Sequence, residues 1–422
     1  MNIAKKKRNV AIGVLALVAC APGIAAGDAV SDWNVIMQTT VSGQPPFPQA
    51  RFAAITQLAV FEAVNAITGD YAPYLGTVSP APGASAEAAA IAAAYRVLVT
   101  YFPGATATLD AARASSLAII PSSPAKTSGI ATGEAAAQAM LAARTGDGSE
   151  IAEFYQPSSA NAGEWQLTPS CPAAGGVFFH WRKVKPFGIE SADQFRLDAP
   201  PALTSPRYTR DYNEVKQVGS VNSTERPPDR SDVARYYASV TPVGVFNPVA
   251  RQLSAARGST LSENARTFAL LNMAISDGAV AVFDTKYHYN FWRPETAIRF
   301  TGDDGNSRTD PDFSFAPFIV TPCFPSYPSA HGTLSGAARE VLERIFSPAT
   351  ESITLSNAAV PGITLHYTKL RQITDDISDA RVYGGIHYRF DQDEGSDLGR
   401  KVGEYLFKNF LAAARSCVEK HK

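Results

Sequence analysis

Three short segments in the last third of the chain concentrate residue types that cores and helices normally avoid, and each suits the holding of a small anion. The first is Lys286, Tyr287, His288, Tyr289, Asn290, Phe291, Trp292, Arg293, Pro294. If the helix read over 261–284 continues through it, Lys286 and Arg293 lie seven apart on one face, two cations with no acidic residue between them. Such a pair repels itself unless an anion sits against it; the plainer reading is two solvent-exposed cations on a surface helix. The second segment is Pro325, Ser326, Tyr327, Pro328, Ser329, Ala330, His331, Gly332, Thr333. Pro328 keeps the chain extended ahead of Ser329, and Leu334, Ala338, Val341, Leu342 and Ile345 mark the buried side of a new helix. Ser329, Ala330 and His331 therefore occupy a helix start, where unpaired N–H groups and the positive end of the dipole favour an anion. The Ser329 hydroxyl adds a donor, and it also reads as an ordinary N-cap. His331 sits beside that anion.

The third segment runs Asp379, Ala380, Arg381, Val382, Tyr383, Gly384, Gly385, Ile386, His387, Tyr388, Arg389, Phe390, Asp391. Two glycines inside an otherwise helical pattern cost about 1 kcal/mol each unless backbone must approach closely there. Asp391 lies four after His387 and is placed to orient its ring; a link from Asp391 to Arg389 is the alternative.

In this order and spacing the three segments resemble the signature of the type 2 phosphatidic acid phosphatase (PAP2) and vanadium-dependent haloperoxidase superfamily. The stretches 247–299, 193–232 and Arg51 to Ile67 resemble its soluble bacterial haloperoxidase-like branch. The resemblance implies an all-α fold, a helical bundle of the vanadium chloroperoxidase/PAP2 type around an oxyanion, with vanadate as cofactor and phosphate able to occupy the same site. It implies that Lys286, Arg293 and Arg381 bind equatorial oxygens, that Ser329 and the Ala330 N–H add hydrogen bonds, that His331 is the acid/base, and that His387 coordinates vanadium axially. Two departures stand out. Ala330 replaces the usual glycine between Ser and His, and Ala380 replaces the usual serine before the last arginine.

The physical logic admits two reactions. Three fixed cations compensate an oxyanion and equally the charge of phosphoryl transfer; an axial histidine bonds to vanadium or attacks phosphorus. The leading reading is a haloperoxidase using hydrogen peroxide, a halide and a small organic acceptor. The alternative is an acid phosphatase hydrolysing a phosphate ester through a phosphohistidine, and a third reading is a binding protein or inactive relative. Phe324, five before Ser329, and Phe283, three before Lys286, fall where the resemblance places the halide-approach side. Aromatic walls there favour a polarisable halide over a second phosphate-binding surface, although such residues also simply pack cores.

The elements that must position these residues are helical. Between 50 and 67, Phe52, Ile55, Leu58, Ala59, Phe61, Val64 and Ile67 recur at threes and fours. Further helical patterns cover 85–101, 106–119, 129–143, 207–217, 229–239, 247–257 and 261–284. The span 145–205 interrupts them with six prolines and the aromatics Trp165, Phe178, Phe179 and Trp181, and reads as an ordered excursion packed over a cleft. The organisation is thus a helical part over 28–144, the excursion, and a second helical part over 206–422 bearing the site, together one compact unit. Neither strand–helix alternation nor, after residue 27, a charge-free run of eighteen apolar residues is present, so no transmembrane domain is expected after the signal.

Composition narrows the classes further. Lys plus Arg is 38 against Asp plus Glu at 39 over 422 residues, which gives no footprint for nucleic acid. Lys5, Lys6, Lys7 and Arg8 precede an apolar run from Val10 to Ala19 that is too short to span a bilayer, so residues 1–27 read as an export signal. Small residues at Ala25 and Ala26 suit ordinary cleavage, giving a periplasmic or secreted product. Leu17, Val18, Ala19, Cys20 resembles a lipobox, which would anchor the protein to a membrane face through Cys20. Cys171, Cys323 and Cys417 then remain, enough for one intramolecular bridge, and no Cys/His zinc grouping is present. Growth with a radioactive fatty acid should label the mature protein if Cys20 is the anchor; an unlabelled secreted product rules that ending out.

Overall fold

A computed structural model describes residues 28–347 and 351–414 of the chain; residues 1–27, read above as an export signal with Cys20, and Cys417 lie outside the described residues. The structure is 57% helical. An N-terminal group comprises α1 (Ala29–Val41), α2 (Pro46–Thr68), α3 (Ala86–Tyr101), α4 (Thr106–Ile119) and α5 (Pro124–Ala143). The excursion follows, with one 3-10 turn at Phe179–Lys183. Then come α6 (Pro206–Val218), α7 (Pro228–Ala238), α8 (Pro242–Arg257), α9 (Leu261–Tyr289), α10 (Pro294–Ile298), α11 (Ala330–Phe346), α12 (Leu370–Val382) and α13 (Arg389–Asn409). Among the described residues there is one antiparallel hairpin, β1 (Ile353–Ser356) with β2 (Thr364–Tyr367), which pairs Ile353 with Tyr367 and Ser356 with Thr364. This all-α bundle matches the expected class. The helix α1, most of α13 and the hairpin had no counterpart in the sequence reading.

The centre is α9. Its start is fixed by a capping box in which the Thr260 side chain takes the Glu263 N–H and Glu263 reaches back to the Thr260 N–H. Beyond the first turn it is buried nearly all round, because α2, α11 and α13 pack against it. Both α2 and α9 are long and apolar enough to cross a membrane by length and composition. Within the fold, however, 83% and 94% of those apolar windows are buried in protein, so their hydropathy reflects depth in the bundle.

Two packing devices carry the site. The first is a row of glycines on α13 pressed against the start of α11: a Cβ at Gly399 would fall 2.0 Å from the Thr333 carbonyl oxygen, and one at Gly395 2.6 Å from that of Ser329. Only glycine permits that approach, which holds the α11 N-terminus against the α13 backbone. The second device clamps the excursion at Lys185–Ile189. On one side the Arg144 guanidinium donates to the carbonyls of Lys185 and Pro186 and pairs with Asp147, itself bound by Arg51 at 2.7 Å. On the other, the fully buried Asp277 of α9 accepts the N–H groups of Phe187 (2.6 Å), Gly188 (2.7 Å) and Ile189 (3.0 Å). The excursion is thus fastened by backbone groups to both the N-terminal helices and the central one.

Asp277→Asn keeps the shape but leaves one acceptor oxygen for three donors and turns an amide N–H toward them. The expected loss is about 2–4 kcal/mol of stability, read by urea denaturation, with new proteolytic cuts between 145 and 205. Burial pushes the Asp277 carboxyl up to about 6 against the pull of the three N–H donors. A carboxyl whose folded pKa exceeds the unfolded value takes up a proton on folding, so its contribution falls as pH rises from 3.8 through about 6. The gap between wild type and variant should therefore narrow across that window; a gap that widens would assign the clamp to other groups.

Candidate active site

The helix α9 does not run on to Arg293. It ends at Tyr289, and Asn290 turns the chain in the left-handed conformation at φ 50°. Phe291 and Trp292 then cross to Arg293, which stands as the residue before α10 with extended backbone, as the following Pro294 requires. Lys286 and Arg293 therefore meet across a break in the helix, and the seven-residue helical spacing is corrected. Nor are they surface cations, since both are fully buried. The excursion braces the break: the Trp165 N–H donates to the Asn290 carbonyl at 2.7 Å, and the Trp292 N–H to that of Gly163 at 3.0 Å.

Opposite the break runs a strap of chain, residues 321–328, whose Tyr327–Pro328 bond is cis. Its carbonyls hold the cations. Lys286 Nζ donates to the Pro325 and Ser326 oxygens, each at 2.8 Å, and Arg293 Nε to that of Phe324 at 2.8 Å. The strap ends at Ser329, the N-cap of α11. Ser329 Oγ accepts the Gly332 N–H at 3.1 Å, so the N-cap reading is correct and its O–H remains available to donate. The Ala330 N–H follows at the first helical position, where no intrahelical acceptor exists.

Arg381 lies in the last turn of α12. Gly384 and Gly385 come after that helix ends, which corrects their placement inside a helical run; Gly385 adopts φ 80°, and a Cβ there would lie 2.3 Å from the Gly219 carbonyl oxygen. They serve close backbone approach in the turn that delivers His387. His387 Nδ1 is 2.8 Å from Asp391 Oδ2, and the same oxygen takes the Ser326 hydroxyl at 2.6 Å. Arg389 pairs instead with Glu214 and Asp379, so of the two readings of Asp391 the orienting one holds. Ser326, three before Ser329, carries no sequence signal for this role, which appears only in its contact with Asp391.

These contacts set the protons. Burial raises the Asp391 carboxyl to about 6, with the Ser326 hydroxyl, Lys286 and Arg293 pulling it down, so near neutral pH it accepts from His387 Nδ1–H. The Nε2 lone pair then faces Arg293 Nη1 at 2.9 Å. Burial, followed by the charges of Arg293, Lys286 and Arg381, holds His387 well below the ordinary histidine range, and His331 is lowered by the same kinds of cause. Both imidazoles are neutral at neutral pH. Burial also lowers Arg293 to about 9 and Arg381 to about 10, and Lys286 well below its usual range.

Three buried cations thus converge with one buried carboxylate. Among their donors, Arg293 Nη2 and Arg381 Nε and Nη1 are buried with no hydrogen-bond partner among the described residues. Unsatisfied buried guanidinium donors are costly, and a tetrahedral oxyanion satisfies them while balancing the charge. The residues present therefore fit vanadate or phosphate: Lys286, Arg293, Arg381, Ser329 and the Ala330 N–H would donate to it, and His387 Nε2, whose lone pair takes Arg293 Nη1 here, would be the ligand to vanadium on release from that contact.

A cavity of about 290 Å³ opens onto Ala330, His331, Arg381 and His387. Phe324 lines it as expected, but Phe283 does not. That ring is fully buried and packs behind the wall, 4.6 Å from Phe47 and 5.3 Å from Phe324 between centroids. The faces that Phe283 had been expected to supply come from Phe47 of α2 and Phe178 of the excursion, with Val177 and Leu334 beside them. Phe178 holds a left-handed backbone at φ 60° to do so.

Fold and site together point to a class: both are consistent with the superfamily of vanadium-dependent haloperoxidases and type 2 phosphatidic acid phosphatases, which this chain resembles. Residues 266–415, which carry all three signature segments, match the family described as the VCPO second helical-bundle domain. Among individual proteins, the vanadium chloroperoxidase of Curvularia inaequalis is 26% identical over 200 residues, a match covering 40% of this chain and 32% of that protein. The chain thus spans about a third of the length of this relative. Among solved structures, the first bacterial vanadium-dependent iodoperoxidase superposes with a TM-score of 0.74 at 24% identity, covering 91% of this chain and 96% of that one. An apo-type bacterial vanadium-dependent chloroperoxidase gives 0.69 at 16% identity, covering 85% and 92%. These two establish the fold.

Charge crowding at the site yields a prediction that separates binding from folding. Arg381→Met removes a buried, unpaired charge, so in anion-free buffer the variant should be more stable than wild type by about 1–3 kcal/mol. Phosphate or vanadate should raise the melting temperature of the wild type only, since a ligand at one hundred times its Kd adds about 2.7 kcal/mol. A variant that is less stable without anion, yet still shifted by phosphate, would remove Arg381 from the cage.

Proposed function

We propose that this chain is a vanadium-dependent haloperoxidase that converts a halide, hydrogen peroxide and one proton into hypohalous acid and water, with a small organic molecule as the final acceptor. The observation that carries the reading is the set of unpaired guanidinium donors on Arg293 and Arg381 aimed beside a histidine whose Nε2 is kept unprotonated. The fold neighbours named for iodide and chloride agree with it. When bound, vanadate supplies a Lewis-acidic centre that activates hydrogen peroxide toward the halide.

The protein's own part is positioning and proton control. Lys286, Arg293 and Arg381 fix the oxyanion by charge, and Ser329 with the Ala330 N–H direct two further hydrogen bonds. Asp391 and Ser326 keep the proton of His387 on Nδ1, leaving Nε2 as a neutral ligand. His331, neutral and partly open to the cavity, takes a proton from hydrogen peroxide on its imidazole and returns one as water leaves. The Phe47, Phe178 and Phe324 wall excludes water and presents no second cation for a phosphate ester. The export signal read over residues 1–27 places this chemistry outside the cytoplasm, free or anchored at Cys20.

Apo-protein given orthovanadate in phosphate-free buffer should gain bromide- or iodide-dependent peroxidase activity that phosphate suppresses. His387→Ala should abolish it. His331→Ala should keep vanadate binding but turn over on the order of 10²-fold more slowly. Phosphomonoester hydrolysis inhibited by vanadate, with no halide oxidation from acidic to neutral pH, would establish the acid phosphatase in its place.

A further inference from the structure

The strap that holds the cations is itself held from behind. Cys171 of the excursion is disulfide-bonded to Cys323, across 152 residues of sequence. Around that bond the strap's carbonyls are divided between two partners. Those of Thr321 and Cys323 face the excursion, taking the Ser170 hydroxyl at 2.5 Å and the Val177 N–H at 2.9 Å. Those of Phe324, Pro325 and Ser326 face the cage and take Arg293 and Lys286. The Val177 carbonyl in turn accepts the hydroxyl of Tyr287, the residue after Lys286, at 2.6 Å. A closed circuit results: Lys286 to the strap, the strap to the excursion, and the excursion back to α9 beside Lys286. Cys323 is the residue before Phe324, whose carbonyl takes Arg293 and whose ring lies 5.2 Å from Lys286 Nζ and 5.0 Å from Arg293 Cζ.

We infer that the Cys171–Cys323 disulfide is a positioning element of the oxyanion cage: it fixes the carbonyls of Phe324, Pro325 and Ser326 at the depth from which Lys286 and Arg293 point their remaining donors at the anion. Two observations favour this over a general staple. The bond sits one residue from the first cation-holding carbonyl. It also ties the cavity-lining Cys323–Phe324 to the excursion six residues before Val177–Phe178, the segment that walls the cavity opposite and whose Val177 N–H donates to the Cys323 carbonyl. Without it, a short run of hydrogen bonds remains to resist the mutual repulsion of the buried cations, which pushes the strap outward. Half-buried Cys171 leaves the bond open to a small reductant.

The inference rests on the site being an oxyanion cage, and the experiment separates the two. The full chain is titrated calorimetrically with inorganic phosphate at 25 °C in four forms: oxidised, reduced by a water-soluble phosphine, reoxidised, and Cys171→Ser. In the reduction the S–S bond breaks, each sulfur gains an electron and a proton, and the phosphine takes oxygen from water to become its oxide. Phosphate affinity should fall by about tenfold or more in the reduced and Cys171→Ser forms, as when outer partners of a ligand set are lost. It should recover on reoxidation, and the phosphine should leave the Cys171→Ser protein unchanged. If Cys171→Ser does not fold, the reversible reduction of folded wild type carries the comparison. A cross-link with a purely structural role would lower the melting temperature and leave phosphate affinity at 25 °C equal in all forms, which overturns the inference. Failure of the oxidised protein to bind phosphate overturns the cage reading itself, and this inference with it.

Discussion

Among the described residues, Lys286, Arg293 and Arg381 are buried together with a single carboxylate, Asp391, among them. Left to themselves such charges drive each other toward solvent, so the surrounding structure has to hold them in place while leaving some donors unspent. Main-chain carbonyls meet both requirements: they accept from Lys286 and from one side of Arg293 without cancelling charge. A second carboxylate would neutralise the cage and spoil it for an anion. The choice of acceptor thus separates a binding site from a buried ion pair.

Carbonyls can do this only if their own backbone is fixed, and much of the fold serves that end. The α13 glycines fix the start of α11 and with it Ser329. The Ser329 N–H donates to the Asp391 carbonyl at 2.8 Å, which ties the segment after His387 to the segment before His331. The excursion, clamped by Arg144 and Asp277, supports the strap and the break after α9 from outside. Polar backbone that would otherwise be unpaired in a long irregular segment is spent on holding the site.

The chemistry-bearing residues were legible because each belongs to a type that is expensive to bury: two arginines, a lysine, two histidines and an aspartate at fixed spacing in a mostly apolar region. Helix boundaries followed where periodicity was undisturbed, as in 106–119, which the structure reproduces to the residue. Elsewhere tertiary contacts overrode the local pattern. Asn290 and Pro294 both marked the end of α9, yet the regular pattern before them suggested continuation. Phe47 and Phe178 come from segments more than a hundred residues from the signature, and no local pattern says that they meet. Phe283 shows the converse: proximity in sequence placed it at the wall, while the helical turn between it and Lys286 faces it into the aromatic core behind. The row Gly395, Gly399, Gly403 was visible as a four-residue repeat, but its purpose depends on a partner helix that the repeat does not name.

The close seating of α13 on α11 has a consequence for how such a protein changes over generations. No side chain separates the two helices at Gly399, so neither can shift without a clash, and any substitution there is punished at once. The rim of the cavity is assembled from rings on α2, the excursion and the strap, where the wall requires apolar character rather than a backbone-to-backbone contact. Heritable variation can therefore accumulate in what is admitted while the group that reacts stays the same. A lineage built on this plan would diversify in the molecules it modifies far sooner than in the kind of modification it performs.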